Sequence, residues 1–283
     1  MKKIVLIVTT FFCGVVLAQE KAPYKIYDRV GQEMSYSKML SLTSKSDVVL
    51  FGEMHDNSII HWLQLELTKD LAQKKNLVLG AEMFEADNQD ELNAYLSGKI
   101  NQKQLDTTAR LWKNYRTDYK PLVEFAKEKK FNFIATNIPR KFASLVYKSG
   151  FQALDSLSSE QKSWIAPLPI TYDAKLPGYK AMLEMDEMHS NENLPKAQAA
   201  KDATMAYFIS KNLKPETTFI HYNGTYHSDN FEGINWYLTK YVPKVKIVTI
   251  ATVEQDDIVR FEKENQNKAD IIIVVDKDVT KTH

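Results

Sequence analysis

The sequence predicts an α/β fold, a mainly parallel sheet flanked by helices and carrying a helical insertion. Three observations predict it. Short apolar runs stop at glycine or a polar residue, at residues 47–52, 77–83 and 131–137. Between them lie longer stretches with apolar residues at helical spacing; Ile59, Ile60, Leu63, Leu67 and Leu71 are the clearest. Strand, helix and strand also follow one another within about 35 residues, the length of a βαβ unit with a right-handed crossover.

Each element follows from its own pattern. Residues 24–28 suit a short edge strand and residues 37–42 a short helix. The first confident strand, 47–52, leads into an amphipathic helix over 57–74, and 77–83 is the second buried strand. Residues 88–96 and 106–112 read as helices joined by a turn at Gly98. Residues 119–130 form a further helix with Leu122, Phe125 and Ala126 inward. The third strand, 131–137, precedes Pro139, which a first helical turn tolerates, and a helix continues towards Tyr147. Residues 151–213 contain no strand pattern and are broken by Pro167, Pro169 and Pro177. They read as a helical insertion with helices near 179–189 and 196–212. Strands at 217–222, 245–251 and 271–275 complete the sheet, and a helix over 230–241 links the first two.

The first residues have the form of a secretory signal. Lys2 and Lys3 precede an apolar run over 4–17, and Val16-Leu17-Ala18 offers a cleavage site before Gln19. Residues 1–18 are therefore expected to be removed, leaving 19–283 as a single domain in a secreted, periplasmic setting. The run is short for a membrane span. Cys13 is the chain's one cysteine, and Phe11 and Phe12 before it disfavour lipid anchoring. The mature chain then has no disulfide and is stabilised by burial. With 37 basic and 36 acidic residues the net charge is +1, which gives no reason to expect a nucleic-acid partner.

Two stretches carry the chemistry. Gly52-Glu53-Met54-His55-Asp56 follows the first strand, and Asn223-Gly224-Thr225-Tyr226-His227 follows a later one. Both contain Gly-x-x-His at a strand end, where open α/β sheets bind ligands. Glu53, His55, Glu82 and His227 form a candidate set for a divalent metal or for proton transfer. Asp56 or Asn57 reads as a helix cap. Glu82 ends the second strand, which a βαβ unit sets beside the first. Two carboxylates there would repel unless a cation lay between them: a metal, Arg116 or Arg140. Asn137 is either a site residue or a turn residue, and Asn223 belongs to the turn expected to expose His227. His221 alternates with Ile220 and Tyr222 and reads as core. In the insertion, Met182, Met185 and His189 share one helical face. They are either a Met-rich core stripe or a soft wall for a flat ligand such as haem, with Tyr or His to iron.

Several segments in the same order resemble the ChaN-like haem-binding lipoprotein family. They are Phe51-Gly52-Glu53-Met54-His55-Asp56, Gln64-Leu65-Glu66-Leu67, Gly80-Ala81-Glu82-Met83-Phe84 and Ala135-Thr136-Asn137-Ile138-Pro139-Arg140. Ala197-Gln198 with Asp202-Ala203-Thr204-Met205-Ala206, and the turn Asn223-Gly224-Thr225-Tyr226-His227, complete the series. The resemblance implies a parallel α/β sheet, and haem held in a homodimer with a tyrosine on iron and partner side chains near the propionates. A lipobox cysteine is also implied, and only the poorly placed Cys13 is present. Relationship to TraB/Tiki-type metalloproteases, and more distantly to erythromycin-esterase-like hydrolases, implies a second reading: a metal-dependent hydrolase using Glu53, His55, Glu82 and His227.

The leading expectation is a periplasmic haem-binding protein serving haem or iron acquisition, with an outer-membrane haem uptake system as a further partner. Tyr179 follows Pro177-Gly178 at a helix start and is the expected iron ligand, with Tyr172 as its rival. Met182 and Met185 would line the porphyrin, and Lys175 and His189 would meet its propionates.

Overall fold

Among the residues described by the computed structural model, 21–184 and 191–283, seven strands form one sheet. They are β1 (Tyr24–Asp28), β2 (Val48–Glu53), β3 (Asn76–Glu85), β4 (Asn132–Asn137), β5 (Thr217–Gly224), β6 (Ile247–Gln255) and β7 (Ile271–Asp276). Their order across the sheet is β1-β7-β6-β2-β5-β3-β4. All neighbours pair in parallel except β1, which runs antiparallel to β7 at one edge. The signal segment, Met185 and His189 lie outside the described residues.

Helices cover both faces, as a parallel sheet requires. The helices are α1 (Tyr36–Thr43), α2 (Ser58–Ala72), α3 (Gln89–Leu96), α4 (Gln102–Thr108), α5 (Lys120–Lys129), α6 (Arg140–Ser149), α7 (Ser159–Lys162), α8 (Pro177–Glu184), α9 (Leu194–Lys211) and α10 (Ile234–Tyr241). The strands alternate between two cores. Val49 and Phe51 of β2 face the layer containing α2 and α5, while Val48 and Leu50 face α6, α9 and α10. On α2, Ile60, Leu63, Leu67 and Leu71 are fully buried. Each such aliphatic side chain contributes about 2 kcal/mol by leaving water. Helix α9 begins with Pro195 in its first turn. It buries Ala197, Ala199, Ala200, Ala203 and Ala206, small side chains that let its backbone lie close to the sheet. Between 151 and 213 the described residues contain helices and no strand, as the insertion reading expects.

Two expectations need correction. β2 and β3 are not neighbours, because β5 lies between them and pairs with both. The helix expected at 106–112 is instead α4, Gln102–Thr108. It starts at an Asn101–Gln104 capping box, so Leu111 and Trp112 lie beyond its end.

Candidate functional site

The placement of β5 brings the two Gly-x-x-His turns together. Glu53 of β2 lies opposite Gly224 of β5, and Ala81 of β3 lies opposite Tyr222. Glu82, one residue on, therefore comes up beside Asn223 from the other side, and its Oε2 reaches ahead to accept the Gly224 N–H at 2.7 Å. Glu53, His55, Glu82 and His227 all line one open cleft of about 650 Å3 at the carboxyl ends of the strands, with Met54, Gln198, Lys201, Tyr226 and His283 at its walls.

The first turn is fixed from behind. Asn57 caps α2, its Oδ1 accepting the N–H groups of Ile59 at 3.1 Å and Ile60 at 3.2 Å. The buried Glu53 carboxylate is fully engaged. Its Oε1 accepts the Tyr119 hydroxyl at 2.7 Å and lies 2.8 Å from His55 Nδ1. Its Oε2 accepts the Gln64 side-chain amide at 2.6 Å. The carbonyl of His55 accepts from His61 Nε2 at 3.0 Å and from Asn114 at 3.1 Å. With Nδ1 turned to Glu53, Nε2 of His55 faces the cleft. A Cβ placed on Gly224 would come within 2.8 Å of that nitrogen and 3.5 Å of Glu82 Oε2. Burial pulls the His55 pKa down, but the hydrogen bond and charge of Glu53 outweigh it, and the net shift is upward.

The second turn is buried. Asn223 and Gly224 still belong to β5, and a single 3-10 turn, Thr225–His227, follows. His227 is therefore not the exposed loop residue the sequence suggested; it is 5 % exposed. Its Nε2 lies 3.1 Å from Glu82 Oε1 and its Nδ1 2.5 Å from Asp202 Oδ1. Gln198, one turn before Asp202 on α9, places its side-chain amide 2.9 Å from the same Nδ1. The other Asp202 oxygen accepts the Tyr179 hydroxyl at 3.1 Å. Glu82, His227, Asp202 and Tyr179 thus form a continuous buried line. Burial alone would lower the His227 pKa, but the two carboxylates overcome it and hold the ring up at about 10. Glu82 is raised by burial and lowered more by His227, His55 and the Gly224 N–H, so it lies well below the usual carboxylate range. The basic side chain that faces Glu82 is His227. Arg116 is largely exposed and pairs with Asp106, and Arg140 is exposed at the start of α6.

The remaining candidates divide by place. His221 is fully buried, 2.7 Å from Thr136 Oγ1 and 3.0 Å from Asn223 Oδ1, and burial pushes its pKa down to about 4. The Asn223 side-chain amide donates to Ser228 Oγ at 3.1 Å. Asn137 donates to the carbonyl of Glu82 at 2.9 Å, bracing that strand end. Tyr179 is 4 % exposed and stacks on Tyr172 at 5.5 Å. With Met182 it lines a second, smaller cleft of about 270 Å3, which also holds Asp202, Tyr226, Asp229, Glu232 and Lys268. Burial and the Asp202 carboxylate push the Tyr179 phenol far above its ordinary range. Lys175 is exposed and lines neither cleft. Tyr226, which sequence reasoning passed over, lines both clefts and is 45 % exposed. Gln198 and Asp202 were visible in the Ala-Gln…Asp helix segment, but without a role.

A family model described as haem-binding uptake, Tiki superfamily, ChaN matches residues 39–238. The chain belongs to this family. Its fold is similar to a structure described as cofacial heme binding to ChaN of Campylobacter jejuni, with a TM-score of 0.68 and 18% identity over 89% of this chain and 96% of that one. It is also similar to an erythromycin esterase mutant in its open conformation, at a TM-score of 0.52 and 11% identity over 90% and 99% of the two chains. A Bacillus cereus protein matches at a TM-score of 0.51 and 13% identity, over 84% of this chain and 90% of that one. At these identities the likenesses show the fold alone. No curated protein matches the chain by sequence. Membership supports a function of the haem-binding or hydrolase type. Among the described residues no helix is long and apolar enough to cross a membrane, and no group of three or more His, Cys, Asp and Glu side chains is arranged to hold a metal ion.

Proposed function

We propose that the protein is a secreted, periplasmic haem-binding protein that serves haem or iron acquisition. The observation that carries this reading is Tyr226, an exposed phenol on the Gly-x-x-His turn of a chain in a haem-binding family. Among the described residues its hydroxyl makes no hydrogen bond, and Met54 and Met182 flank it in the two clefts it joins. These residues fit haem on an open shelf, with phenolate to ferric iron. Tyr179 is less suited, because its hydroxyl is buried and committed to Asp202. Bound haem supplies ferric iron as cargo. Lys201 lines one cleft and Lys268 the other, a cation in each for a propionate. An open shelf leaves one porphyrin face uncovered, which suits a homodimer and hand-over to an outer-membrane haem uptake system. Haemin titration followed by visible absorption tests the reading. Wild type should saturate, and Tyr226→Phe should lose the phenolate-to-iron band. If Tyr179→Phe or Tyr172→Phe removes the band instead, iron sits on that residue; wild type without saturable binding overturns the haem reading.

A second reading rests on the line Glu82–His227–Asp202, an imidazole held between two buried carboxylates beside His55. Such a set suits acid–base hydrolysis, and a divalent metal would find donors in His55 Nε2 and Glu82. Turnover of model esters or peptides by wild type, lost in His55→Ala and restored by no haemin treatment, would put this reading first. Metal analysis of the same preparation would identify any ion it uses.

A further inference from the structure

The carboxyl ends of the strands form the cleft; their amino ends form a face of different character. Five adjacent parallel strands, β6, β2, β5, β3 and β4, are entered from helices α10, α1, α9, α2 and α5 in turn. The register sets these entries in one row. Val48 lies opposite both Ile247 and Phe219, Asn76 opposite Thr217, and Val78 opposite Asn132. The five connections, residues 44–47, 73–75, 130–131, 212–216 and 242–246, hold seven lysines, no arginine and two acids. Lys45, Lys74, Lys130, Lys214, Lys244 and Lys246 are exposed, and among the described residues none of the six makes an ion pair. Of the acids, Asp47 is turned to the backbone, its Oδ2 accepting the Lys246 N–H at 2.9 Å. Lysines gather at helix C-termini to meet the dipole, which accounts for Lys129 and Lys211 in the last turns of α5 and α9. That effect fades within the last turn, and the six lie past it.

We propose that this amino-end face docks on a bilayer bearing anionic headgroups. Adjacent strands stand about 4.8 Å apart, so the row of lysines spans about 20 Å, the scale of an extended charged surface. Lysine is a compact point charge that suits scattered phosphates, whereas a single planar anion is best held by the arginine fork, which these connections lack. Tyr241, 36 % exposed at the end of α10, is an amphipathic ring of the kind found at headgroup level. None of the six lysines lines either cleft, so the proposal stands apart from the haem reading. Docked this way, the protein turns its cleft away from the lipid and leaves it open to solvent.

The apolar run at 4–17 would itself enter a membrane, so the test uses the mature chain from Gln19. Co-sedimentation is measured with vesicles of phosphatidylglycerol and phosphatidylethanolamine, and with vesicles of phosphatidylcholine. Wild type should partition onto the anionic vesicles alone and come off as salt rises from about 0.05 M to about 0.5 M. Each lysine near such a surface is worth about fivefold. Lys74→Gln, Lys214→Gln and Lys246→Gln together should therefore weaken partitioning about 100-fold. Lys113→Gln, Lys180→Gln and Lys277→Gln together remove the same charge from exposed lysines elsewhere and should leave partitioning within about threefold of wild type. Equal losses in the two triple variants, or a wild type that does not favour the anionic vesicles, overturns the proposal. So does retention of wild type on duplex DNA without partitioning onto vesicles.

Discussion

The two Gly-x-x-His turns share a four-residue pattern and a place at the end of a parallel strand, yet they make opposite sites. At the first, His55 keeps 39 % of its side chain exposed, meets one carboxylate through Nδ1 and presents Nε2 to the cleft. At the second, His227 is buried with a carboxylate on each nitrogen. The difference comes from what packs over each turn. Helix α9 lies across the second and supplies Gln198 and Asp202, while the first opens to the cleft mouth. The glycines differ too. A Cβ on Gly52 would lie 2.8 Å from the Ile250 carbonyl oxygen and 2.9 Å from Thr225 Cα, so the first glycine lets backbone approach backbone. A Cβ on Gly224 would meet mainly the end of the His55 ring. The pattern marks a place on the sheet; the neighbouring helix decides the chemistry.

The largest expected break in this contrast is Asp202→Ala. It would leave His227 and Tyr179 buried without a shared partner and should cost about 3 kcal/mol or more in urea denaturation, as breaking a buried pair does. His55→Ala should cost under about 1 kcal/mol, because the ring is partly exposed. If the two losses are equal, the turns are not different in kind.

The glycines give the next contrast. Gly52→Ala forces backbone apart and should destabilise by about 2 kcal/mol, in the range of overpacked cores. Gly224→Ala should be milder and should instead displace the His55 ring, visible as a shifted imidazole resonance in NMR.

The pH dependence sharpens the comparison between His227 and its strand neighbour His221. The His227 pKa is held at about 10, above an unfolded value of about 6.5. Its stabilisation is full below about pH 6.5 and is lost as pH rises through 10. The His221 pKa is depressed to about 4. Its contribution is full above about pH 6.5 and is lost as pH falls through 4. Thermal melts should therefore decline on both sides. His227→Gln should flatten the alkaline limb and His221→Asn the acid limb; a wild-type melt that does not change between pH 7 and 10 would contradict the charged setting of His227.

A more local effect is expected behind the first turn. Tyr119→Phe removes one hydrogen bond to Glu53 and should cost about 1–2 kcal/mol. Its second signature is a His55 pKa moved by the altered carboxylate, read by NMR titration.

Much of this arrangement was legible in the sequence, and the reason is local. An apolar run that stops at Gly52 or Asn137 announces a strand end, because a buried strand cannot carry polar side chains at will. Asn101 with Gln104 marks the start of α4 through a capping box, a signal that the helix expected at 106–112 did not use. The sheet order was not legible. Nothing near residues 48–53 or 76–85 says that β5, more than 130 residues later, will pair with both. The burial of His227 was hidden for the same reason, since it depends on α9 lying over the turn. Asp202 was visible as part of a helix segment, but its role needs the histidine it faces. Exposure of Tyr226 is a property of the finished surface and leaves no periodic trace.

The position of β5 also sets an order of assembly. The ribosome releases β2, β3 and β4 long before Thr217, so until the last quarter of the chain emerges, β2 and β3 lack the strand that each pairs with on its facing edge. Unpaired parallel edges invite association. Here the missing interior strand is itself the timer: without β5, Gly224 and His227 are not in place and Glu53 and Glu82 are not brought to one cleft.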